Sequence, residues 1–128
     1  MFIEGVHHIA IICSDYNLSK KFYTQTLKLP IISETYRKER DSYKLDLQVQ
    51  AGFQIELFSF PDAPLRPSYP EAQGLRHLAF KVSDIKEAVK ELKEKGVEVE
   101  TIRVDEMTGK RFTFFQDPDG LPLELYEI

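Results

Sequence analysis

The chain of 128 residues has a single cysteine and no long apolar run. Because Cys13 has no second cysteine to pair with, an intrachain disulfide cannot form, and this favours a reducing, cytoplasmic setting. No apolar stretch approaches the roughly 18 residues of a membrane-spanning helix. The N-terminal sequence MFIEGVHH lacks the basic and apolar segments of a signal peptide. We therefore expect a cytoplasmic protein without a membrane partner.

The sequence also has no excess of positive charge. Lysine and arginine number 17 against 21 aspartates and glutamates, which gives a net charge of −4. This balance offers no general attraction for nucleic acid or for an anionic membrane, so neither is expected as a partner. A hydrophobic content of 42% with 30% charged residues is typical of a folded domain. The length predicts one compact domain, or two half-domains that share a core.

What the sequence does contain is a repeat of about half its length. The stretch GVHHIAIICSD at 5–15 returns as GLRHLAFKVSD at 74–84. Each copy reads as a strand that runs into a Ser-Asp pair, and both residue types favour a helix N-cap. The second pair precedes DIKEAVKELKEKG, which has helical apolar spacing, a capping box and a terminal glycine. The first pair precedes the less regular DYNLSKKFYTQTLK, a helix predicted to end by Pro30.

Three further strands are predicted after each helix, at about 31–37, 43–49, 53–60, 98–104, 110–116 and 122–127. The stretch between the halves carries four of the seven prolines and indicates a stiff, extended connector. The predicted organisation is a βαβββ module at 1–60, a Pro-rich connector at 61–73 and a second βαβββ module at 74–128. The fold class is therefore α+β, with two βαβββ repeats that form curved mixed sheets.

The first and last strands of each half carry one histidine and one glutamate in matching positions. His8 precedes Glu56 by 48 residues, and His77 precedes Glu124 by 47. Taken alone, each of these residues would more often be structural or a surface residue. Repeated in register, they would bring two imidazoles and two carboxylates around one point if the half-sheets pair with pseudo-twofold symmetry. These donors suit one divalent transition metal per site, with nickel and zinc favoured and iron, cobalt and manganese as alternatives.

His7 competes with His8 for the role of ligand. The repeat aligns His8 with His77, whereas His7 aligns with Arg76. Because neighbours on a strand point to opposite faces, we expect His8 to be the ligand and His7 to lie on the other face. Cys13 is expected to be a small buried apolar residue.

The two halves open with HHIAIICSDYNLSKKFYTQTL and GLRHLAFKVSDI, and the chain closes with FFQDPDGLPLELYE. These stretches resemble the two half-openings and the closing motif of the vicinal oxygen chelate superfamily, in its glyoxalase I-like branch. The resemblance covers essentially the whole chain and implies the glyoxalase fold. It places the family's four metal ligands on His8, Glu56, His77 and Glu124. The arginine that often follows the first ligand in glyoxalase I is replaced by the apolar run IAIIC, so the resemblance supports the metal chemistry more than a glutathione substrate.

The resemblance implies a lactoylglutathione lyase-like metalloenzyme. Such a lyase or isomerase removes a proton next to a metal-bound carbonyl of a small 2-oxo or thiol-adduct substrate. Glu124 is the implied catalytic base, and Glu56 is its symmetric candidate. Two alternatives stay open: an epimerase that uses the same proton abstraction, and a non-catalytic binder of a metal-chelating small molecule.

The sequence also offers candidates for substrate contacts. Basic residues that could bind an anionic group are Arg37, Arg66, Arg103, Lys110 and Arg111. Arg66 in the connector and Arg111 near the DPDG turn are the predicted substrate contacts.

The predicted assembly is a homodimer. A stiff connector disfavours folding the second module back onto the first, and the resemblance to bacterial glyoxalase I also implies a homodimer. Each site would then take His8 and Glu56 from one chain and His77 and Glu124 from the other.

Overall fold

The structure, a computed structural model, describes residues 2–128 in two compact units. The first unit ends at Leu65 and the second begins at Arg66, inside the connector predicted at 61–73. Each unit contains one four-stranded mixed sheet and a helical segment after its first strand. The predicted α+β class with two βαβββ repeats is therefore confirmed.

The first unit has its strands in the order β1-β4-β3-β2. Its elements are β1 His8–Cys13, α1 Tyr16–Lys21, a π-helical turn Phe22–Thr26, β2 Ile31–Arg37, a short 3₁₀ turn Lys38–Arg40, β3 Ser42–Gln50 and β4 Phe53–Ser59. β1 runs parallel to β4, while β4–β3 and β3–β2 are antiparallel. The predicted first helix is thus divided into an α-helix and a π-helical turn.

The second unit repeats this arrangement with the order β5-β8-β7-β6. Its elements are β5 Leu78–Val82, α2 Ile85–Glu94, β6 Arg103–Val104, β7 Arg111–Gln116 and β8 Pro122–Glu127. β6 is much shorter than the strand predicted at 98–104. The segment before it still follows β7, because the Glu100 amide bonds the Phe114 carbonyl at 2.9 Å and the Thr113 hydroxyl donates to the Glu100 carbonyl at 2.7 Å. The Thr113 side chain thus takes the place of one backbone hydrogen bond between this segment and β7.

The predicted helix caps are present in both units. The carboxylates of Asp15 and Asp84 each accept a hydrogen bond from a backbone amide three residues on, at 3.1 Å. This satisfies one of the donors left free at a helix start. α2 is followed by Gly96, whose φ of 83° lies in the left-handed region that favours glycine. Among residues 2–128 no helix is long and apolar enough to cross a bilayer.

Alternation along the strands separates a core face from an opposite face in each sheet. In β4, Ile55 and Leu57 are fully buried on the core face. Glu56 lies between them and therefore points the other way. In β8 the same pattern buries Leu123 and Leu125 around Glu124. The polar residues of interest consequently project from the sheet face that the apolar core does not use.

The core of the first unit should depend strongly on Ile55. Truncation by Ile55→Ala removes a fully buried side chain and leaves a cavity, so it should lower the free energy of unfolding by about 2–5 kcal/mol. The matched control is Ile12→Ala on the neighbouring strand, where the isoleucine is 55% exposed and the change should be within about 0.5 kcal/mol. Urea unfolding of both variants measures the difference. Equal losses would contradict this assignment of the core face.

Candidate metal centre

The first unit brings His8 and Glu56 together on adjacent parallel strands. In the register of β1 and β4, His8 is level with Gln54 and Ala10 is level with Glu56. Residues two apart on one strand share a face, so the imidazole and the carboxylate project from the same side of the sheet. His8 Nδ1 lies 3.5 Å from Glu56 Oε2. Although Glu56 lies on the face away from the core, it is only 8% exposed.

Polar neighbours hold the buried carboxylate of Glu56. The Gln54 amide donates to Glu56 Oε2 at 3.0 Å, and the Lys44 ammonium lies 3.7 Å from Oε1. The same ammonium donates to Asp46 at 2.9 Å, and Asp46 accepts a further bond from the Ser33 hydroxyl at 2.9 Å. Because a buried charge is costly unless it is paired, these contacts are what allows two carboxylates to lie side by side on this sheet.

Sequence reasoning missed Asp46 as part of this cluster. Asp46 is directly opposite Glu56 on the neighbouring antiparallel strand, and it is 9% exposed. A signal was present, since Asp46 stands between the apolar residues Leu45 and Leu47, the same pattern that marks Glu56. The second half has Phe114 at the matching position, so a search for residues repeated in both halves does not find Asp46.

The second unit also brings His77 and Glu124 together, although His77 directly precedes β5 instead of lying within it. Ala79 on β5 is level with Glu124 on β8, which matches the register of the first unit. His77 Nε2 lies 3.2 Å from Glu124 Oε1. The residue opposite Glu124 on β7 is Phe114, and its ring meets the His77 ring edge to face, with centroids 5.0 Å apart. An aromatic wall therefore replaces the polar cluster found beside Glu56.

The expectation that His7 faces away from His8 is wrong. The two Nδ1 atoms are 2.9 Å apart, and donor atoms of His7, His8 and Glu56 all lie within 4.8 Å of one another. The reason is that β1 begins at His8, so strand alternation does not fix the direction of the preceding side chain. Cys13 is 1% exposed, and its prediction as a buried residue is confirmed.

The residues present fit a divalent metal. Each unit offers one imidazole nitrogen and one carboxylate oxygen within 3.5 Å of each other. Imidazole and carboxylate are common ligands of first-row transition ions. Both carboxylates are largely buried, with side chains 11% and 13% exposed. A buried carboxylate beside an imidazole is stabilised when a cation shares it.

Arg66 and Arg111, the predicted substrate contacts, both have partners within the protein. The Arg66 guanidinium donates to the Ser68 hydroxyl and to the carbonyls of Leu75 and Arg76, at 2.8 to 3.1 Å. Arg111 donates through two nitrogens to the Glu127 carboxylate, at 2.8 Å each. That guanidinium, helped by a backbone amide, holds the pKa of Glu127 below its usual value. A substrate role for either arginine stays a prediction.

Comparison with known proteins supports the architecture just described. Residues 5–125 match the family model of the Glyoxalase/Bleomycin resistance protein/Dioxygenase superfamily. The chain is 63% identical to YwkD of Bacillus subtilis over 99% of both chains. It is 61% identical to YaeR of Escherichia coli over 98% of this chain and 97% of that protein. The crystal structure of a glyoxalase family protein from Enterococcus faecalis superposes with a TM-score of 0.91 at 50% identity, covering 99% of this chain and all of that one.

More distant relatives carry names of specific activities. A 2-epi-5-epi-valiolone epimerase from Actinomyces is 27% identical over 97% of this chain and 79% of its own length. The metallothiol transferase FosB of Staphylococcus saprophyticus is 28% identical over 97% of this chain and 77% of its own. Proteins of the family typically bind small molecules, generally with a divalent metal, and are often dimers. With two βαβββ units and a family match across nearly its whole length, this chain belongs to the Glyoxalase/Bleomycin resistance protein/Dioxygenase superfamily.

Proposed function

We propose that this protein is a divalent-metal-dependent lyase or isomerase of the glyoxalase I type. It would remove a proton from the carbon next to a carbonyl of a small 2-oxo or thiol-adduct substrate. The observation that carries the proposal is the pairing of one histidine with one glutamate in each unit, at 3.5 and 3.2 Å, on the face away from the core. Family membership supports the same chemistry.

The metal would be held by His8, Glu56, His77 and Glu124, two residues from each unit. Nickel and zinc are favoured, and iron, cobalt and manganese also suit these donors. When bound, such an ion supplies a Lewis acid that polarises the carbonyl and lowers the energy of the anion left by the loss of the neighbouring proton. The protein's own part is to position that carbonyl, to exclude water and to take the proton.

Metal content tests the ligand set directly. Protein reconstituted with nickel or zinc should bind about one ion per chain, because two nitrogen and two oxygen donors are available to it. The double variant His77→Ala/Glu124→Ala should lose this binding, and elemental analysis after desalting measures it. Stoichiometric metal that survives the double substitution would exclude the assignment.

His7 provides the matched control for His8. Its ring touches His8, yet the repeat offers no partner for it, since Arg76 stands at the corresponding position. We assign it to holding the His8 ring in place, as residues behind metal-binding histidines commonly do. His7→Ala should therefore keep about one metal per chain, whereas His8→Ala should lose it. Loss of metal in both variants would make His7 a ligand.

Glu124 is the proposed catalytic base, because its surroundings differ from those of Glu56. Gln54 and Lys44 engage both oxygens of Glu56 and fix that carboxylate in position. Glu124 contacts His77 and faces the ring of Phe114 across the strands. A carboxylate whose neighbours are an imidazole and an aromatic ring is freer to accept a proton from a substrate.

Replacement of Glu124 by glutamine separates proton transfer from binding. Glu124→Gln should lower kcat by roughly 10²- to 10⁴-fold with little change in KM, because the amide keeps an oxygen donor but cannot take the proton. The assay incubates metal-loaded protein in D₂O with hemithioacetals of 2-oxoaldehydes and follows exchange of the C–H by proton NMR. Glu56→Gln is the comparison variant. Near-full activity of Glu124→Gln would move the base elsewhere, with Glu56 next.

An epimerase is the second candidate, favoured by the 27% identical relative that carries that name. It would use the same proton abstraction but return a proton to the opposite face of the same carbon. Incubation in D₂O distinguishes the two: an epimerase gives the labelled diastereomer of its substrate, and a lyase or isomerase gives a rearranged product. A binder without catalysis would leave the C–H unlabelled with every metal.

We further propose a homodimer in which each metal site combines the first unit of one chain with the second unit of the other. A stiff connector favours this exchange. Mixing His8→Ala with Glu124→Ala chains by joint refolding tests it. A mixed dimer would then contain one site with both lesions and one intact site, so the purified mixed dimer should bind about one metal ion, half the content of the unmodified dimer. A verified mixed dimer without recovery, or a metal-binding monomer by light scattering, would exclude the shared arrangement.

A further inference from the structure

We propose that the second unit contains a binding site for a small oxyanion beside the His77/Glu124 pair, with Arg103 and Arg76 as its cationic groups. This inference rests on the proposed function and adds a substrate class to it. The substrate would carry a carboxylate, phosphonate or phosphate group a few bonds from its reactive carbonyl.

The site is a cavity of about 220 Å³ formed by the second unit alone. Its walls come from the connector, the segment before β5, β6 with the segment preceding it, and the site face of β7 and β8. The lining residues that matter here are Arg66, Ser68, Arg76, Arg103, Phe114 and Pro122. The volume suits a group of several heavy atoms rather than a large cofactor.

The charge of the cavity is opposite in sign to that of the whole chain. Three arginines and two glutamates line it, in a protein of net charge −4. Glu71 lies 3.9 Å from Arg76, and Glu100 lies 3.4 Å from Arg103. All four side chains are more than half exposed, so these ion pairs are weak. An incoming anion can therefore compete with both glutamates. Arg76 also lies beside the candidate metal ligand His77, with its Nη1 3.2 Å from His77 Nδ1.

Arg66 builds the wall of the cavity. Its guanidinium holds the connector against the segment before β5 through the carbonyls of Leu75 and Arg76. Ser68, which accepts from Arg66, donates in turn to the Gly120 carbonyl at 3.0 Å. These bonds fix the connector in place and use the donors that a ligand would need.

Arg103 is held differently, by aromatic rings. Its guanidinium carbon lies 5.0 Å from the centroid of the Phe112 ring and 5.7 Å from that of Phe114. Contact with the π faces orients the guanidinium plane. One of its N–H groups donates to the exposed Glu100 carboxylate at 3.4 Å, and the others lie along the edge of that plane. A planar fork of donors is suited to two oxygens of a carboxylate or phosphonate. Arg103 is thus engaged by one long, exposed ion pair, whereas Arg66 and Arg111 are held by several shorter hydrogen bonds.

The cavity shares a wall with the candidate metal centre. Phe114 lines the cavity, is directly opposite Glu124 and touches the His77 ring. Pro122 also lines it and projects from the same face of β8 as Glu124. Phe114 contacts both Arg103 and His77, so a group bound at Arg103 would lie one aromatic ring away from His77.

Binding of simple anions tests the site without depending on catalysis. Methylphosphonate and acetate are titrated into the metal-free protein, and the ring protons of Phe112 and Phe114 are followed by NMR. We expect saturable shifts with at least one of the two anions, and the tighter one identifies the preferred group. Arg103→Gln should weaken that binding about tenfold or more, because it removes the charged donor fork. Arg103→Lys should retain part of it.

The control is Arg40, which stacks on Phe60 in the first unit at 5.1 Å and lies outside the cavity. Arg40→Gln should leave anion binding unchanged. Saturable binding that Arg103→Gln does not weaken, or the absence of binding by both anions, would overturn the proposal. Because the titration contains no metal, binding that persists in His77→Ala/Glu124→Ala supports the anion site even if the proposed proton abstraction fails.

Discussion

In each unit the first strand lies parallel to the last, and this pairing determines which side chains can meet. Ala10 is level with Glu56 and Ala79 is level with Glu124, so the two units use the same register. A shift by one residue would turn each glutamate into the apolar core. The apolar residues on either side, such as Ile55 and Leu57, are fully buried and oppose such a shift. The packing of the core thus holds each histidine beside its glutamate.

Within this shared register, the two units differ in the residue that lies opposite the glutamate. The residue opposite Glu56 is Asp46, whereas the residue opposite Glu124 is Phe114. On the first sheet, lysine and glutamine neighbours compensate two buried carboxylates. On the second, an aromatic wall carries Arg103 and borders a cavity. Each unit therefore keeps its histidine–glutamate pair, while the neighbours of the glutamate are polar in the first unit and aromatic in the second.

Much of this architecture was predictable because its signals are local or periodic. Strand alternation, the Asp15 and Asp84 caps and the glycine after α2 each depend on a few neighbouring residues. The 98–104 strand was predicted too long, because the Thr113 side chain takes a backbone carbonyl that a ladder would have used. The π-helical turn within the predicted first helix had no periodic signal of its own.

The repeat alone was enough to single out His8, Glu56, His77 and Glu124, since four residues of ligand type recur at matched positions. Only the tertiary structure showed that His7 touches His8, that Asp46 lies opposite Glu56 and that Arg66 is bonded to backbone carbonyls. Only it distinguished Arg66, whose donors are bonded to backbone carbonyls, from Arg103, whose guanidinium lies on two aromatic rings. The physical reason is that a side chain's hydrogen-bond partners come from distant parts of the chain, whereas periodicity in a sequence reports only which face of an element a residue occupies.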